Sequence, residues 1–140
     1  MRLIFIILLA LFSFPAKAQR LSQRDTITDV YSGVLPCADC IGIDTKLVLI
    51  HERFAGMGSF VLTETYMYRG DTVRLMETKG EWTHHRGSAA DRNHTVVELF
   101  NNTDDQFRYY LLQKDNNLKM LDKELKEINS EANYVLKREN

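Results

Sequence analysis

Apolar and polar side chains alternate with a period of two along most of this chain, in short runs separated by turn residues, and that pattern predicts β-strands. "DVYSGVL", Asp29 to Leu35, reads as a first strand. "DTKLVLIHE", Asp44 to Glu52, reads as a second, with Leu47 and Leu49 on one face and Val48 and Ile50 on the other. Both of its faces are apolar, which predicts cover on both sides. "SFVLTETYMY", Ser59 to Tyr68, gathers Phe60, Leu62, Tyr66 and Tyr68 on one face, opposite Thr63, Thr65 and Met67. Arg69-Gly70-Asp71 turns the chain, and Thr72 to Glu77 continues it. "GEWTHH" and "HTVVELF" read as the arms of a hairpin whose tip is the polar segment Arg86 to Asn93. "FRYYLLQ", Phe107 to Gln113, alternates again, and "ANYVLKR", Ala132 to Arg138, closes the series. About eight strands at this spacing predict an all-β fold, a sandwich or an up-and-down barrel.

One stretch breaks the pattern. "LKMLDKELKEI" places Leu118, Leu121, Leu125 and Ile128 at spacings of three, four and three, the signature of an amphipathic helix. A strand Leu118 to Leu121, a turn at Asp122-Lys123-Glu124 and an extended return would use the same apolar residues, and periodicity alone leaves both readings open.

The first residues differ from the rest. Arg2, the apolar run Leu3 to Phe12 and the small-x-small triplet Ala16-Lys17-Ala18 compose a secretory signal peptide, residues 1–18, with cleavage expected between Ala18 and Gln19. The apolar run is shorter than the roughly 20 residues of a spanning helix, so a cleaved signal is favoured over an anchor. No cysteine lies near that boundary, which argues against a lipid anchor there. Residues 19–140 suffice for one domain and are too few for two. After Gln19 no run is apolar enough to span a membrane as a helix, and the expected location is periplasmic or secreted. With 18 Lys plus Arg against 19 Asp plus Glu and no basic stripe, nucleic acid is not an expected partner.

Both cysteines fall in "LPCADC", as Cys37 and Cys40. In an oxidising compartment a disulfide stapling the loop is the simplest reading. So small a ring restrains the unfolded chain by only roughly 2 kcal/mol, so its benefit is local, and a strained ring is more easily reduced. Thioredoxin-type catalysis needs a cysteine at a helix N-terminus within a βαβ unit, whereas this pair sits between two strands with Asp39 beside it. A structural zinc site normally needs four ligands, and there is only one pair. Cu(I) asks for less, since two thiolates suffice and a thioether assists. Cys37 and Cys40 are therefore candidate metal ligands in the reduced state only, with Met57, Met67, His51, His84, His85 and His94 as auxiliaries. If Glu81 to His85 pairs with His94 to Phe100, then His84, His85 and His94 gather near one hairpin end. Asp104 and Asp105, with Asn101 and Asn102, read as a solvated turn. Trp82, Tyr66, Tyr68, Tyr109 and Tyr110 would line a barrel mouth or fill its core. No set of residues composes a catalytic centre, and no cofactor is required.

"YSGVLPCADCIGIDTKLVL" resembles the signature of the NlpE N-terminal domain family, linked to copper resistance in bacterial envelopes, through Gly33, Pro36, Cys37, Ala38, Asp39, Cys40, Gly42 and Ile43. "KGEWT" and the ending Leu118 to Arg138 resemble the family's Gly-x-Trp strand and its closing Leu-Asp and Asn-Tyr-x-Leu. The resemblance implies a small antiparallel, lipocalin-like barrel with the cysteine pair in a loop at one end, and favours strand-turn-strand over helix after Leu118. The acylated cysteine and the second domain of the Escherichia-type lipoprotein have no counterpart in this sequence. The leading expectation is a non-enzymatic exported protein whose Cys-x-x-Cys loop takes part in copper or redox stress. A small barrel binding an apolar ligand, with a purely structural disulfide, is the alternative. A third is an interaction protein presenting a sheet edge or loop to an envelope partner.

Overall fold

The structure, a computed structural model, describes residues 25–70, 72–103 and 106–140. The expected signal peptide and the Ala18/Gln19 boundary lie outside the described residues, as do Asp104 and Asp105. Eight antiparallel strands close into a barrel in sequence order: β1 (Thr26–Leu35), β2 (Gly42–Glu52), β3 (Met57–Met67), β4 (Val73–Arg86), β5 (Thr95–Asn101), β6 (Gln106–Leu112), β7 (Leu118–Leu121) and β8 (Val135–Arg138). The small antiparallel up-and-down barrel is thus present, although two strands arise differently from the expectation. The runs at Thr72–Glu77 and Gly80–His85 are one continuous strand, β4, and the ambiguous stretch supplies β7.

After β7 the chain turns on Asp122, whose carboxylate accepts the Glu124 and Lys126 amides at 2.9 and 2.8 Å. Leu125 takes a left-handed conformation (φ 59°) there, and Leu121 bridges to Glu127. The helical spacing therefore serves two sides of the barrel wall. Leu118 points into the core, whereas Leu121 and Leu125 join Val96 and Leu111 outside it.

Alternation fixes what faces inward. Thr45, Leu47 and Leu49 of β2 are buried, and Val48 and Ile50 are half-buried on the outer wall. The expected second cover over β2 is absent among the described residues, because a closed barrel has one interior and the row holding Val48 and Ile50 faces away from it. The interior is filled by its own side chains: Leu47, Leu62, Leu99, Tyr110, Leu118 and Leu136 are all fully buried.

Two details of closure matter below. β8 pairs with β1 only at Tyr31↔Arg138 and Ser32↔Lys137. Around that short seam, the Glu139 amide donates to the Val30 carbonyl at 2.8 Å and the Asn133 side-chain amide to Val34 at 3.0 Å. On the other side of the barrel, β3 pairs with β4 from Met57↔Thr83 to Met67↔Val73, yet β5 pairs only with Glu81–Arg86. The β3–β4 hairpin consequently overhangs, and residues 73–80 have a strand on one side only.

Candidate functional site

β1 and β2 pair to their ends, Leu35↔Ile43, and the chain crosses between them through Pro36 to Ile41. Cys37 and Cys40 lie 5.3 Å apart between Cα atoms and form a disulfide. Both are half-buried, while Ala38 and Asp39 at the tip are exposed. The Sγ of Cys40 lies 3.4 Å from the Gly42 carbonyl oxygen, and the Ile41 amide donates to the Met67 carbonyl at 2.8 Å, which holds the loop against β3. Beside Cys40 is an open depression of about 510 Å³ lined by Ala38, Asp39, Ile41, Tyr68 and Arg69. The depression borders Cys40, and the charges of Asp39 and Arg69 on its rim are opposite in sign. No described residue is helical, so no helix dipole acts on either sulfur.

The auxiliary ligands separate in space. Met67 pairs with Gly42, next to the loop, whereas Met57 begins β3 at the far end of the barrel. His51 stands nine residues up β2 from Gly42, about 30 Å at strand rise. The hairpin β4–β5 forms with the register that would gather His84, His85 and His94, but it does not gather them. His84 and His85 occupy opposite faces of β4: the His84 ring packs edge-on to Trp82 at 4.9 Å, and His85 sits 3.3 Å from Glu98 and against Tyr109. His94 turns back to Ser88 at 2.8 Å. Among the described residues no group of three or more His, Cys, Asp or Glu is placed to hold a metal. Of the aromatics, Trp82 and Tyr110 fill the core, Tyr66 and Tyr68 are half-buried, and Tyr109 lies on the outer wall; Asn101 is buried at the end of β5 instead of solvated.

Two polar networks escaped the alternation argument. At the end of the barrel away from the cysteines, His51 spans the Glu52 carbonyl (2.8 Å) and the Asp29 carboxylate (3.0 Å), and Arg138 also binds Asp29. This bolts β1 to β2 and to β8. Burial pushes the Asp29 carboxyl up, but the bonds to His51 and Arg138 outweigh it and hold the group below the usual carboxylate range. A carboxyl depressed in the folded state contributes stability above its unfolded pKa, about 3.9, and loses it as pH falls through the folded value. Asp29→Asn should therefore be less stable than wild type by about 1–2 kcal/mol at neutral pH. The difference should close as pH falls through that depressed folded value, and urea melts at neutral and at acid pH would show it. A gap unchanged in acid would exclude the charge as its source. The second network joins Glu64 on β3 to Arg108 on β6 across the interior. Glu64 follows Phe60 and Leu62 in the inward row, so its parity was a readable signal, while its partner 44 residues away was not.

Comparison with known proteins places these features in context. A family model described as the NlpE N-terminal domain matches residues 31–131, which include the cysteine loop and β2 to β7. Lipoprotein NlpE of Escherichia coli (strain K12) is 30% identical over 122 residues, covering 87% of this chain and 44% of that protein. The chain thus spans less than half the length of the curated relative it matches. No solved structure matches it.

Proposed function

Given that this chain belongs to the NlpE N-terminal domain family, we propose that it is an NlpE-like exported envelope protein whose Cys37–Cys40 loop responds to redox conditions or copper. The observation that carries the proposal is the disulfide itself, in an open loop at the barrel end, within the matched region. Oxidised, the pair has no thiolate and no soft ligand to offer. Reduction by a dithiol transfers two electrons and two protons, opens the S–S bond and oxidises the reductant to its own disulfide. The two freed sulfurs, as thiolates, match the preference of Cu(I) for soft, low-coordinate sites. Met67, the cross-strand partner of Gly42 beside the loop, is the thioether we assign as an assisting ligand. The role we propose is non-enzymatic, in keeping with a cysteine pair that lies between two strands and away from any described helix N-terminus.

The apolar-ligand alternative draws little support from the interior. The space among Phe60, Leu62, Met76, Leu99 and Arg108 is about 90 Å³, against the roughly 300 Å³ or more of typical ligand pockets.

The test is a thiol count and mass on protein from the exported fraction, followed by anaerobic Cu(I) titration before and after reduction. The expected result is blocked thiols as isolated, ready reduction, then one equivalent of Cu(I), lost in Cys37→Ser. Thiols that resist reductant and bind no copper once freed would reduce the pair to a staple.

A further inference from the structure

The overhanging hairpin carries a surface that the cysteine chemistry does not use. On the outer wall at the cysteine end, Val34 of β1, Met67 of β3 and Val73 and Leu75 of β4 lie in adjacent registers, Val34↔Asp44↔Thr65↔Leu75 and Gly42↔Met67↔Val73. Gly42 closes the gap between them: a Cβ there would stand 2.8 Å from Val34 and 3.4 Å from Met67. Ile41 adjoins this stripe through its bond to Met67. Ile41, Val73 and Leu75 are 67%, 62% and 66% exposed, an unusual density of exposed apolar side chains for three residues so close together. The stripe ends at the free edge of β4, where residues 73–80 have β3 on one side and no strand on the other. Natural sheets blunt such edges with charge, bulges or cover. Here Glu77 and Lys79 neutralise one another at 2.9 Å, and Val73 to Leu75 has no cover among the described residues. Arg74, between the two apolar residues and on the opposite face, is exposed and makes no ion pair with another described residue.

We propose that the edge of β4 at Val73–Glu77 is a docking site for an extended segment of a partner protein, which adds to the barrel wall as a further strand. Backbone pairing supplies the adhesion, and alternate side chains supply the selectivity. Opposite Val73 and Leu75 the segment presents apolar residues. Opposite Arg74, between them, it presents an acidic one. The recognised pattern is therefore apolar-acidic-apolar in a strand-forming context. The site does not depend on copper or on the redox state of the loop.

The test is fluorescence anisotropy with a labelled, end-capped peptide built around Val-Glu-Val and its counterpart built around Val-Lys-Val, on oxidised full-length protein. Wild type is expected to bind the acidic version about tenfold more tightly, the scale of one charge pair at an interface. Leu75→Lys should abolish binding while leaving the circular dichroism spectrum unchanged, since the side chain is exposed. Arg74→Glu should reverse the preference between the peptides. Equal affinity for both peptides, binding indifferent to Leu75→Lys, or no binding of either would overturn the proposal. A dimer of the protein that Leu75→Lys dissolves would also overturn it, by assigning the edge to a second copy of the chain.

Discussion

Replacing Arg108 with Met should destabilise the barrel by about 3–5 kcal/mol at neutral pH, the range for removing one partner of a buried ion pair. Its two terminal guanidinium nitrogens donate to the two carboxylate oxygens of Glu64 at 2.6 and 2.9 Å. The side chain of Glu64 is 3% exposed and that of Arg108 26%. The pair is thus reached from solvent only on the arginine side. Burial pushes the guanidinium toward neutrality, but the carboxylate beside it more than reverses this and raises its pKa. Tyr110, fully buried next to the pair, has its hydroxyl pushed up to about 12 by that burial, so it stays neutral and cannot replace either charge. Without Arg108, Glu64 is left as a carboxylate among Leu62, Leu99 and Phe60, and its ionised form becomes costly. The penalty should shrink toward acid pH, because an unpaired buried carboxyl has a raised folded pKa and is relieved by protonation. A double variant with Met at both positions should regain most of the loss, since well-packed apolar residues often serve as well as a buried pair. Urea denaturation of the two single variants and the double, as a cycle, would measure this coupling. A loss under about 1 kcal/mol for Arg108→Met would mean that the pair is effectively solvated.

Trp82→Ala should have an effect of similar size, about 3–5 kcal/mol, while Trp82→Phe should lose far less. The indole is 3% exposed and lies over Gly58, its cross-strand partner. A Cβ at Gly58 would come within 3.0 Å of the indole nitrogen and 2.0 Å of the Ile50 carbonyl oxygen, so the ring occupies space that only glycine leaves open. His51 and His84 pack edge-on against it at 5.4 and 4.9 Å. Removing the ring leaves a cavity that rigid strands on either side cannot fill. The indole N–H is buried and has no hydrogen-bond partner among the described residues, so phenylalanine gives up area but no bond and also removes an unsatisfied donor. Because the protein has a single tryptophan, far-UV circular dichroism is the probe for these melts. A Trp82→Phe variant as unstable as Trp82→Ala would indicate that the N–H is satisfied after all, by water.

How much of this was readable beforehand follows from sequence distance. Cys37 and Cys40 are three residues apart, so the pair and its place between two strands followed from local reasoning, whereas the expectation of a disulfide rested on the export signal far from it in sequence. The inward rows of β2 and β3 were equally readable, because alternation needs no partner. Length was less so: the first half of β4, Val73 to Glu77, buries neither face, since the hairpin overhangs the barrel there, and its junction at Thr78-Lys79-Gly80 resembles a break. Leu118, Leu121 and Leu125 imitate a helix because the chain crosses from the core to the outer wall within a few residues. The ion pairs Asp29–Arg138 and Glu64–Arg108 join residues 109 and 44 apart, and only the register of the closed barrel brings them together. The family resemblance, by contrast, was legible from motifs at both ends and in the middle of the domain.

The short seam between β1 and β8 also sets an order of events. Seven of the eight strand pairings join neighbours in sequence and can form hairpin by hairpin as the chain emerges, with small loops to close. The eighth cannot begin until Val135 to Arg138 exists, after every other strand of the barrel, and it must then close a loop spanning all the intervening strands for two residue pairs. Until that moment β1 is a nascent edge without its final partner. The Arg138–Asp29 bolt therefore acts as a late latch, and the time between completing β7 and setting that latch is the interval in which a chaperone would matter most to this chain.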